Sequence, residues 1–396
     1  MKPVHLVMVT DKNNNKYYNM IPNGDTFTIE YGRIDATKTV LSKPMSQWDK
    51  IYNSKIKKGY VDKSDLIVEQ VVEESGDYAP ISDRMIANLI RKLQDFANKT
   101  IESNYKITDK QVTQTMIDEA QSILDELSKK KDVESFNDSL LELFATIPRK
   151  MKKVQDYLAK STKDFAQIMS KEIDLLDVMA AKVNTNATKA IAVKNNQTIL
   201  ESLGLTIKNK DNVLEEKVKD MLGEISDKYV NCWYVNNDFT QKRYDEHIAN
   251  QTGIHKDEKL FWHGSRNENW MSILQNGLMY RPSGAIVTGA MFNDPKEVSL
   301  YFANKARKSF GYTSAGYWTR GNAKTVYMAI FKVNTGKYHN VYKHTPECYT
   351  FGKNMLKKKG NYDSVYAHKG ADLRNDEFIV YDLAQATIYA LVELKG

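Results

Sequence analysis

Three short stretches in the C-terminal half of the chain combine polar side chains with glycine or aromatic residues where apolar runs end. They are Phe261-Trp-His-Gly-Ser265, Tyr301-Phe-Ala303 followed by Lys308-Ser309, and Asn375-Asp-Glu377. A glycine directly after a histidine lets the backbone approach a flat ligand, because no Cβ intrudes. A carboxylate such as Glu377 can stabilise positive charge that develops in a transition state. We therefore expect the three stretches to form one nucleotide site, which the rest of the chain must position.

The size and composition of the chain set the frame for that site. With 396 residues, 41% of them hydrophobic and 27% charged, the chain has the composition of a globular protein with two or three domains. Its 57 basic and 50 acidic side chains give a formal net charge of +7. This mild excess permits a polyanionic partner but does not demand one.

The cysteine count and the hydropathy pattern exclude several classes of protein. Cys232 and Cys348 are too few and too far apart for zinc-finger spacing or a disulfide framework, so we expect no metal. The first 30 residues do not resemble a signal peptide, and no apolar run approaches the roughly 18 residues of a membrane span. We expect no membrane association and an intracellular location: the nucleus in a eukaryote, or the cytoplasm for a bacterial or viral protein.

Residues 1–75 are predicted to form a small α+β module. Apolar alternation predicts strands over 5–10, 17–20 and 26–31, with polar turns between them. The period then changes, because Met45, Trp48 and Tyr52 lie at helical spacing.

Residues 80–187 are predicted to form an all-α bundle with short connections. Apolar residues recur at intervals of three and four, which is typical of helices that bury one face. The predicted helices cover about 86–96, 112–127, 136–144, 151–158 and 165–183.

Residues 190–396 are predicted to form an α+β domain with a largely antiparallel sheet. Helices are expected over 270–278 and 298–308, and strands over 259–263, 325–333, 377–382 and 386–395. The chain contains neither a P-loop nor a G-x-G-x-x-G sequence, which argues against both of those nucleotide-binding folds.

Five stretches of this domain, in their order along the chain, resemble the catalytic domain of the poly(ADP-ribose) polymerases, the His-Tyr-Glu class of ADP-ribosyltransferases. They are residues 261–270, 287–292, 301–309, 362–365 and 376–382. The resemblance implies a catalytic triad of His263, Tyr301 and Glu377. It implies that NAD is consumed as a substrate, that ADP-ribose passes to protein acceptors including the enzyme itself, and that no metal takes part.

The same resemblance implies how the donor NAD is held. His263 would bind the adenosine ribose, and Gly264 and Ser309 would bind the nicotinamide amide. Tyr301 and Tyr312 would stack on the two faces of the nicotinamide ring. Further contacts to NAD are expected from Ser265, Arg281 and Lys308.

Two weaker resemblances lie upstream of this domain. Tyr31-Gly-Arg33 followed by the Trp48 helix resembles the WGR domain, with tyrosine in place of tryptophan. Residues 143–148 and 174–177 resemble the regulatory helical domain that precedes the catalytic domain in DNA-dependent family members. Together they imply contacts from Tyr31 and Arg33 to DNA ends or nicks, and activity that DNA breaks stimulate. Alternatively, Tyr31 packs in the core and Arg33 is a surface cation.

Residues 293–300 depart from the family pattern, because this stretch is longer than usual and lacks the glycines that precede the tyrosine. This departure favours an alternative function, a catalytically weak scaffold that binds DNA or ADP-ribose. An NAD glycohydrolase, which would release free ADP-ribose, is the second alternative.

Overall fold

A computed structural model describes residues 1–66, 76–106, 112–279 and 291–396. Contacts between Cα atoms divide the chain into two compact units. Of the described residues, the first unit contains 1–66, 99–106 and 112–186, and the second contains 76–98, 187–279 and 291–396.

The first unit begins with a five-stranded antiparallel sheet in the order β4-β3-β2-β1-β5. Phe27 and Trp48 form part of its buried core, with ring centroids 5.0 Å apart. The three predicted strands and the helix are present, and the structure adds β4 and β5, which the sequence pattern did not reveal. The elements are β1 (Val4–Val9), β2 (Asn15–Asn23), β3 (Thr26–Arg33), β4 (Thr39–Pro44), α1 (Trp48–Lys57) and β5 (Val61–Asp62).

Four long helices follow: α2 (Arg84–Asn104), α3 (Gln114–Leu127), α4 (Val133–Thr146) and α5 (Phe165–Lys194). N-cap side chains stabilise the first turns of α3 and α4. Thr113 accepts a hydrogen bond from the Met116 amide, and Asp132 accepts one from the Ser135 amide. The predicted helix over 151–158 is wrong, since only a 3-10 turn, Val154–Tyr157, forms there. Helix α5 runs without a break through 187–190, where the sequence suggested a domain boundary.

A buried ion pair lies among the helices of the first unit. Arg149 and Glu172 are 1% and 5% exposed, and Nη1 of Arg149 lies 3.2 Å from Oε2 of Glu172. The guanidinium also lies 4.8 Å from the centroid of the Tyr105 ring. The carbonyl of Arg149 accepts a hydrogen bond from the buried amide of Asn15 at 3.0 Å, so this segment also contacts the N-terminal sheet.

The second unit contains a five-stranded sheet in the order β6-β7-β14-β10-β8 and a four-stranded sheet in the order β11-β12-β13-β9. Among the described residues of this unit, the β11–β12 pair alone is parallel, so the prediction of a largely antiparallel α+β domain is confirmed. The strands are β6 (Leu205–Asn209), β7 (Tyr229–Asn237), β8 (Glu258–Gly264), β9 (Leu300–Phe302), β10 (Thr325–Asn334), β11 (Tyr338–Val341), β12 (Ser364–Ala367), β13 (Glu377–Val380) and β14 (Ala386–Lys395).

The described part of the second unit contains six further helices. They are α6 (Ile199–Ser202), α7 (Asn212–Leu222), α8 (Asp238–Ala249), α9 (Trp270–Asn276), α10 (Ala306–Phe310) and α11 (Lys353–Gly360). The beginning of α2 also belongs to this unit, and its apolar face, which includes Leu89 and Leu93, is buried in the same core as Phe331 of β10.

The predicted helix over 298–308 is wrong for its first half. Residues Leu300–Phe302 form β9, which pairs with β13 so that Tyr301 lies opposite Ile379. The helix α10 starts only at Ala306. The strand forms because β13 offers unpaired backbone groups at its edge, and this tertiary pairing outweighs the local helical period.

A backbone bridge connects the two sheets of the second unit. The amide of Trp262 in β8 donates to the carbonyl of Ala303 at 2.8 Å, and the amide of Ala303 donates back at 3.0 Å. The Trp262 side chain is fully buried, and its indole N–H donates to the carbonyl of Met221 at 3.0 Å. The end of β8 is therefore fixed beside the end of β9.

Candidate active site

His263 lies near the end of β8, opposite Ala329 of β10. The rings of Phe302 and Phe331 lie 6.0 and 5.9 Å from the imidazole, both edge-on. Nδ1 of His263 lies 3.2 Å from the carbonyl oxygen of Tyr301, and because a carbonyl only accepts, Nδ1 carries the proton. Burial lowers the pKa of His263 to about 4, so the ring is neutral near pH 7 and Nε2 can accept a hydrogen bond.

Gly264 occupies a position that has no room for a side chain. A Cβ built on this glycine would lie 1.9 Å from the carbonyl oxygen of Ser309 in α10. The absence of a Cβ thus allows β8 and α10 to approach through their backbones. The next residue, Ser265, accepts a hydrogen bond from the side chain of Asn269 at 3.1 Å, which steadies the turn that follows.

The hydroxyl of Tyr301 is anchored by the segment that precedes its strand. It donates to Oδ1 of Asn293 at 2.7 Å and accepts from the amide of Phe292 at 2.9 Å. Asn293 is itself 1% exposed. Sequence reasoning missed Asn293, because its role depends on a tertiary hydrogen bond that no local pattern announces. The stretch 293–300, which lacks glycine, therefore supports Tyr301.

Glu377 and Lys308 form an ion pair in the interior of the site. Nζ of Lys308 lies 2.5 Å from Oε1 of Glu377, and the two side chains are 10% and 9% exposed. Lys308 also donates to the carbonyl of Asn375 at 3.2 Å. The second carboxylate oxygen of Glu377, Oε2, is buried and has no hydrogen-bond partner among the described residues.

Burial and pairing act against each other on these two charges. Burial raises the pKa of Glu377 above its ordinary value, and the Lys308 ammonium opposes this shift. Burial likewise lowers the pKa of Lys308, and the Glu377 carboxylate opposes that shift. Each group thus stabilises the charged form of the other in surroundings that disfavour both.

Tyr312 and Ser309 complete this side of the site. Ser309 is 4% exposed, whereas Tyr312 is 36% exposed. Burial, with the charge of Glu377 acting in the same direction, raises the pKa of Tyr312 to about 12. Tyr312 therefore lies within the electrostatic influence of Glu377 and keeps its hydroxyl protonated.

The structure brings most of the predicted donor-site residues together. Tyr301 and Glu377 lie on one face of the four-stranded sheet, since Tyr301 is opposite Ile379 and Glu377 is two residues from Ile379 on its strand. His263 contacts Tyr301, Gly264 contacts Ser309, and Lys308 contacts Glu377. Arg281 lies outside the described residues.

The two predicted nucleic-acid contacts belong to the first unit. The guanidinium of Arg33 donates to the carbonyls of Asn13 at 2.7 Å, Lys152 at 2.8 Å and Met151 at 3.3 Å. Arg33 therefore holds chain segments of its own unit. The ring of Tyr31 lies 5.5 Å from that of Tyr18, centroid to centroid, and is partly exposed.

The described residues form neither a metal-binding cluster of side chains nor a membrane-spanning helix. Within the described ranges, no group of three or more histidine, cysteine, aspartate or glutamate side chains is placed to hold a metal ion. Among those same residues, no helix is both long and apolar enough to cross a bilayer.

Comparison with known proteins assigns a family to the C-terminal part of the chain, which carries these residues. Residues 207–396 match the family model of the poly(ADP-ribose) polymerase catalytic domain. This part of the chain, just under half of its length, belongs to the poly(ADP-ribose) polymerase family, whose catalytic domain uses NAD as a substrate.

Individual relatives are similar mainly over this part of the chain. The uncharacterized protein 101L of Invertebrate iridescent virus 6 is 37% identical over 194 residues, which are 48% of this chain and 81% of the viral protein. Poly(ADP-ribose) polymerase 2 of Homo sapiens is 30% identical over 160 residues, 34% of this chain and 26% of that protein. Poly(ADP-ribose) polymerase 1 of Caenorhabditis elegans is 27% identical over 220 residues, 46% of this chain and 21% of that protein. The chain thus spans about a quarter or less of these two polymerases.

Replacement of Gly264 by alanine should weaken binding of the nicotinamide moiety. The added methyl group must displace the backbone of Ser309, and overpacking of this kind costs about 1–3 kcal/mol, which corresponds to a loss of affinity of about 5- to 150-fold. Calorimetric titration with nicotinamide, which is not consumed, measures the effect. Gly32→Ala is the matched control, because its nearest neighbouring atom would lie at 3.4 Å. Wild-type affinity in Gly264→Ala would contradict the assignment of Gly264 to the donor site.

Proposed function

We propose that this chain transfers ADP-ribose from NAD to protein acceptors, including itself, and releases nicotinamide. The observation that carries the proposal is the buried carboxylate of Glu377, which has Lys308 on one oxygen and no partner among the described residues on the other. An unpaired buried acceptor is costly unless a ligand satisfies it. A ribose hydroxyl of NAD, as donor to Oε2, would do so.

The chemistry requires a group that stabilises transient positive charge. Transfer breaks the bond between the ribose carbon and the nicotinamide nitrogen, and the electron pair of that bond neutralises the positive charge of the pyridinium ring. The ribosyl carbon becomes cation-like until the acceptor bonds to it and loses its proton. A carboxylate held next to this carbon in surroundings of low dielectric stabilises the transition state strongly. Glu377 supplies this charge in our proposal, and Lys308 helps to keep it ionised.

The remaining residues position the donor. The Nε2 acceptor of neutral His263 suits a hydroxyl of the adenosine ribose. The backbone of Gly264 and the hydroxyl of Ser309 suit the amide of nicotinamide. Tyr301, whose ring is fixed through its hydroxyl, and Tyr312 supply flat surfaces for stacking on the nicotinamide ring. Positioning of this kind lowers the entropic part of the barrier.

Substitution of Glu377 by glutamine should abolish most transfer. The amide keeps the size of the side chain but loses its charge, so the rate of label transfer from NAD should fall by about 100- to 1,000-fold. The assay follows labelled NAD into protein and into free ADP-ribose. Glu393→Gln is the control, because Glu393 is also buried and also pairs with a lysine, Lys92, but lies on β14. Label that accumulates only as free ADP-ribose would identify a glycohydrolase, and equal activity of the Glu377→Gln variant and wild type would refute the proposal.

Substitution of Lys308 by methionine should change the pH dependence of the reaction. Transfer needs ionised Glu377, so kcat/KM falls as the pH drops through the pKa of this carboxyl group. Because the Lys308 ammonium lowers that pKa, its removal should move the acid limb of the profile to higher pH. Lys305→Met, which removes an exposed lysine before the same helix, should leave the limb in place. An unchanged acid limb in Lys308→Met would show that Glu377 is not the titrating group.

We further propose that DNA ends or nicks stimulate the enzyme, with 1–75 acting as a WGR-like domain, 80–187 as a regulatory helical domain and 190–396 as the catalytic domain. Support comes from a cleft of about 730 Å³ in the first unit, lined by Lys150, Lys152, Lys160 and Lys171 and by four carboxylates. Two of these carboxylates are already engaged, since Asp164 accepts backbone amides and Glu172 pairs with Arg149. With Glu172 paired to Arg149, the exposed ammonium groups of Lys152 and Lys160 are the ones that suit phosphate groups. In a eukaryote this function would place the protein in the nucleus.

Reversal of two cleft charges should weaken DNA binding without disturbing the fold. Lys152 and Lys160 are exposed, whereas Arg33 holds three backbone carbonyls and is a poor choice for substitution. In Lys152→Glu/Lys160→Glu, affinity for a nicked duplex should fall about tenfold, and the salt dependence of binding should become shallower. Lys129→Glu/Lys131→Glu has the same change of charge outside the cleft and should bind normally. Equal affinity of the cleft variant and this control would reject the cleft as the DNA site, and NAD consumption that is independent of DNA would reject stimulation.

A further inference from the structure

A short loop beside the donor site displays large aromatic side chains. This aromatic loop, residues 311–321, contains Tyr312, Tyr317 and Trp318, which are 36%, 77% and 57% exposed. The other four tryptophans of the chain are all buried, with exposures of 6% or less. A tryptophan that remains exposed beside Tyr312 therefore invites a functional explanation.

The aromatic loop is rigid in spite of its exposure. A Cβ on Gly316 would lie 2.2 Å from the carbonyl oxygen of Gly311, and one on Gly321 would lie 1.9 Å from that of Ser314, so the backbone folds tightly on itself. Thr319 donates through its hydroxyl to the carbonyl of Thr313 at 2.6 Å. The hydroxyl of Ser314 accepts the amide of Asn267 at 2.8 Å, which ties the loop to the turn after His263 and Gly264.

Trp318 is held against Gly311 and Tyr312. Its amide donates to the carbonyl of Gly311 at 3.0 Å, and its indole packs so closely on Gly311 that a Cβ there would lie 2.9 Å from Cδ1. The indole is nearly parallel to the ring of Tyr312, with an interplanar angle of 28° and centroids 6.4 Å apart. This geometry lies within the range of offset stacking.

Tyr317 differs from Trp318 in its geometry. It lies at 81° to Trp318, with centroids 5.1 Å apart, and is the more exposed of the two rings. Among the described residues, the ring of Tyr312 forms an aromatic contact with Trp318 alone. Any influence of the loop on the plane of Tyr312 is thus expected to pass through Trp318.

We propose that Trp318 is a positioning residue for NAD, which fixes the ring of Tyr312 in the plane where it stacks on nicotinamide. The inference rests on the proposed function, because it takes Tyr312 as one wall of the nicotinamide site. Without Trp318, the partly exposed Tyr312 ring gains rotational freedom, and NAD binding must then restrict it again. The loss should therefore appear in affinity for the donor and leave the chemical step almost unchanged.

Steady-state kinetics of the full chain give the first test. In Trp318→Ala, KM for NAD should rise about fivefold while kcat stays within twofold of wild type, since an aromatic pair contributes roughly 1 kcal/mol. Trp318→Phe keeps a flat ring and should restore most of the affinity. Tyr317→Ala removes a more exposed ring of the same loop and should leave KM within twofold. An unchanged KM in Trp318→Ala, or an equal rise in Tyr317→Ala, would overturn the proposal.

A double-mutant cycle tests whether Trp318 acts through Tyr312. Calorimetry with nicotinamide measures affinity without any transfer reaction, so its result does not depend on whether the chain modifies proteins. Trp318→Ala should weaken nicotinamide binding about fivefold in the wild-type background and less than 1.5-fold in the Tyr312→Ala background. Additive losses would show that Trp318 acts by another route and would overturn the proposal. Failure of the proposed transfer with a non-additive cycle would instead retain the role of Trp318 and reject only the reaction.

Discussion

The arrangement of the candidate site depends on two backbone hydrogen bonds between Trp262 and Ala303. They connect the five-stranded sheet to the end of β9, and they fix His263 and Tyr301 within hydrogen-bond distance. From β9, a series of contacts leads through β13 and α10 back to the end of β8. Strand β9 pairs with β13, which carries Glu377; Glu377 pairs with Lys308; and Ser309 returns to the backbone of Gly264. Because each contact constrains the next, a shift at any point would disturb the whole site.

These contacts also explain why Lys308 lies beside the buried Glu377. The Glu377 side chain is only 9% exposed, so its charged form has a large desolvation penalty. Without a partner, the carboxylate would protonate rather than remain charged. A second hydrogen-bonding side chain on Oε2 would satisfy the carboxylate fully but would occupy the oxygen that a ribose hydroxyl needs. The observed arrangement, with one oxygen paired and one oxygen unpaired among the described residues, reconciles ionisation with ligand binding.

The sequence predicted the parts of the site that depend on local pattern. Residues 259–263, 325–333 and 386–395 are rich in apolar, β-branched and aromatic residues and form strands, and His263, Gly264 and Glu377 stand at the ends of their strands as expected. Residues 300–302 form a strand only because β13 lies beside them, so the local helical period was misleading there. The anchoring of Tyr301 by Asn293 joins residues eight positions apart through a turn, and no periodicity reveals such a bond.

The sequence keeps Tyr301 and Tyr312, the two tyrosines that the family pattern places at the nicotinamide ring. It departs from that pattern in residues 293–300, which hold the ring of Tyr301. Residues 293–300 lack the usual glycines, yet Asn293 holds the hydroxyl of Tyr301 from the interior. Trp318, in the aromatic loop, lies nearly parallel to Tyr312 on the exposed side. If both tyrosines enclose nicotinamide, each is fixed by a neighbour outside the triad. Donor affinity in this chain would then depend on Asn293 and Trp318 in addition to the direct donor contacts, while Glu377 sets the chemistry. Donor affinity and the rate of the chemical step could change independently, because the residues that set them lie in different segments of the chain.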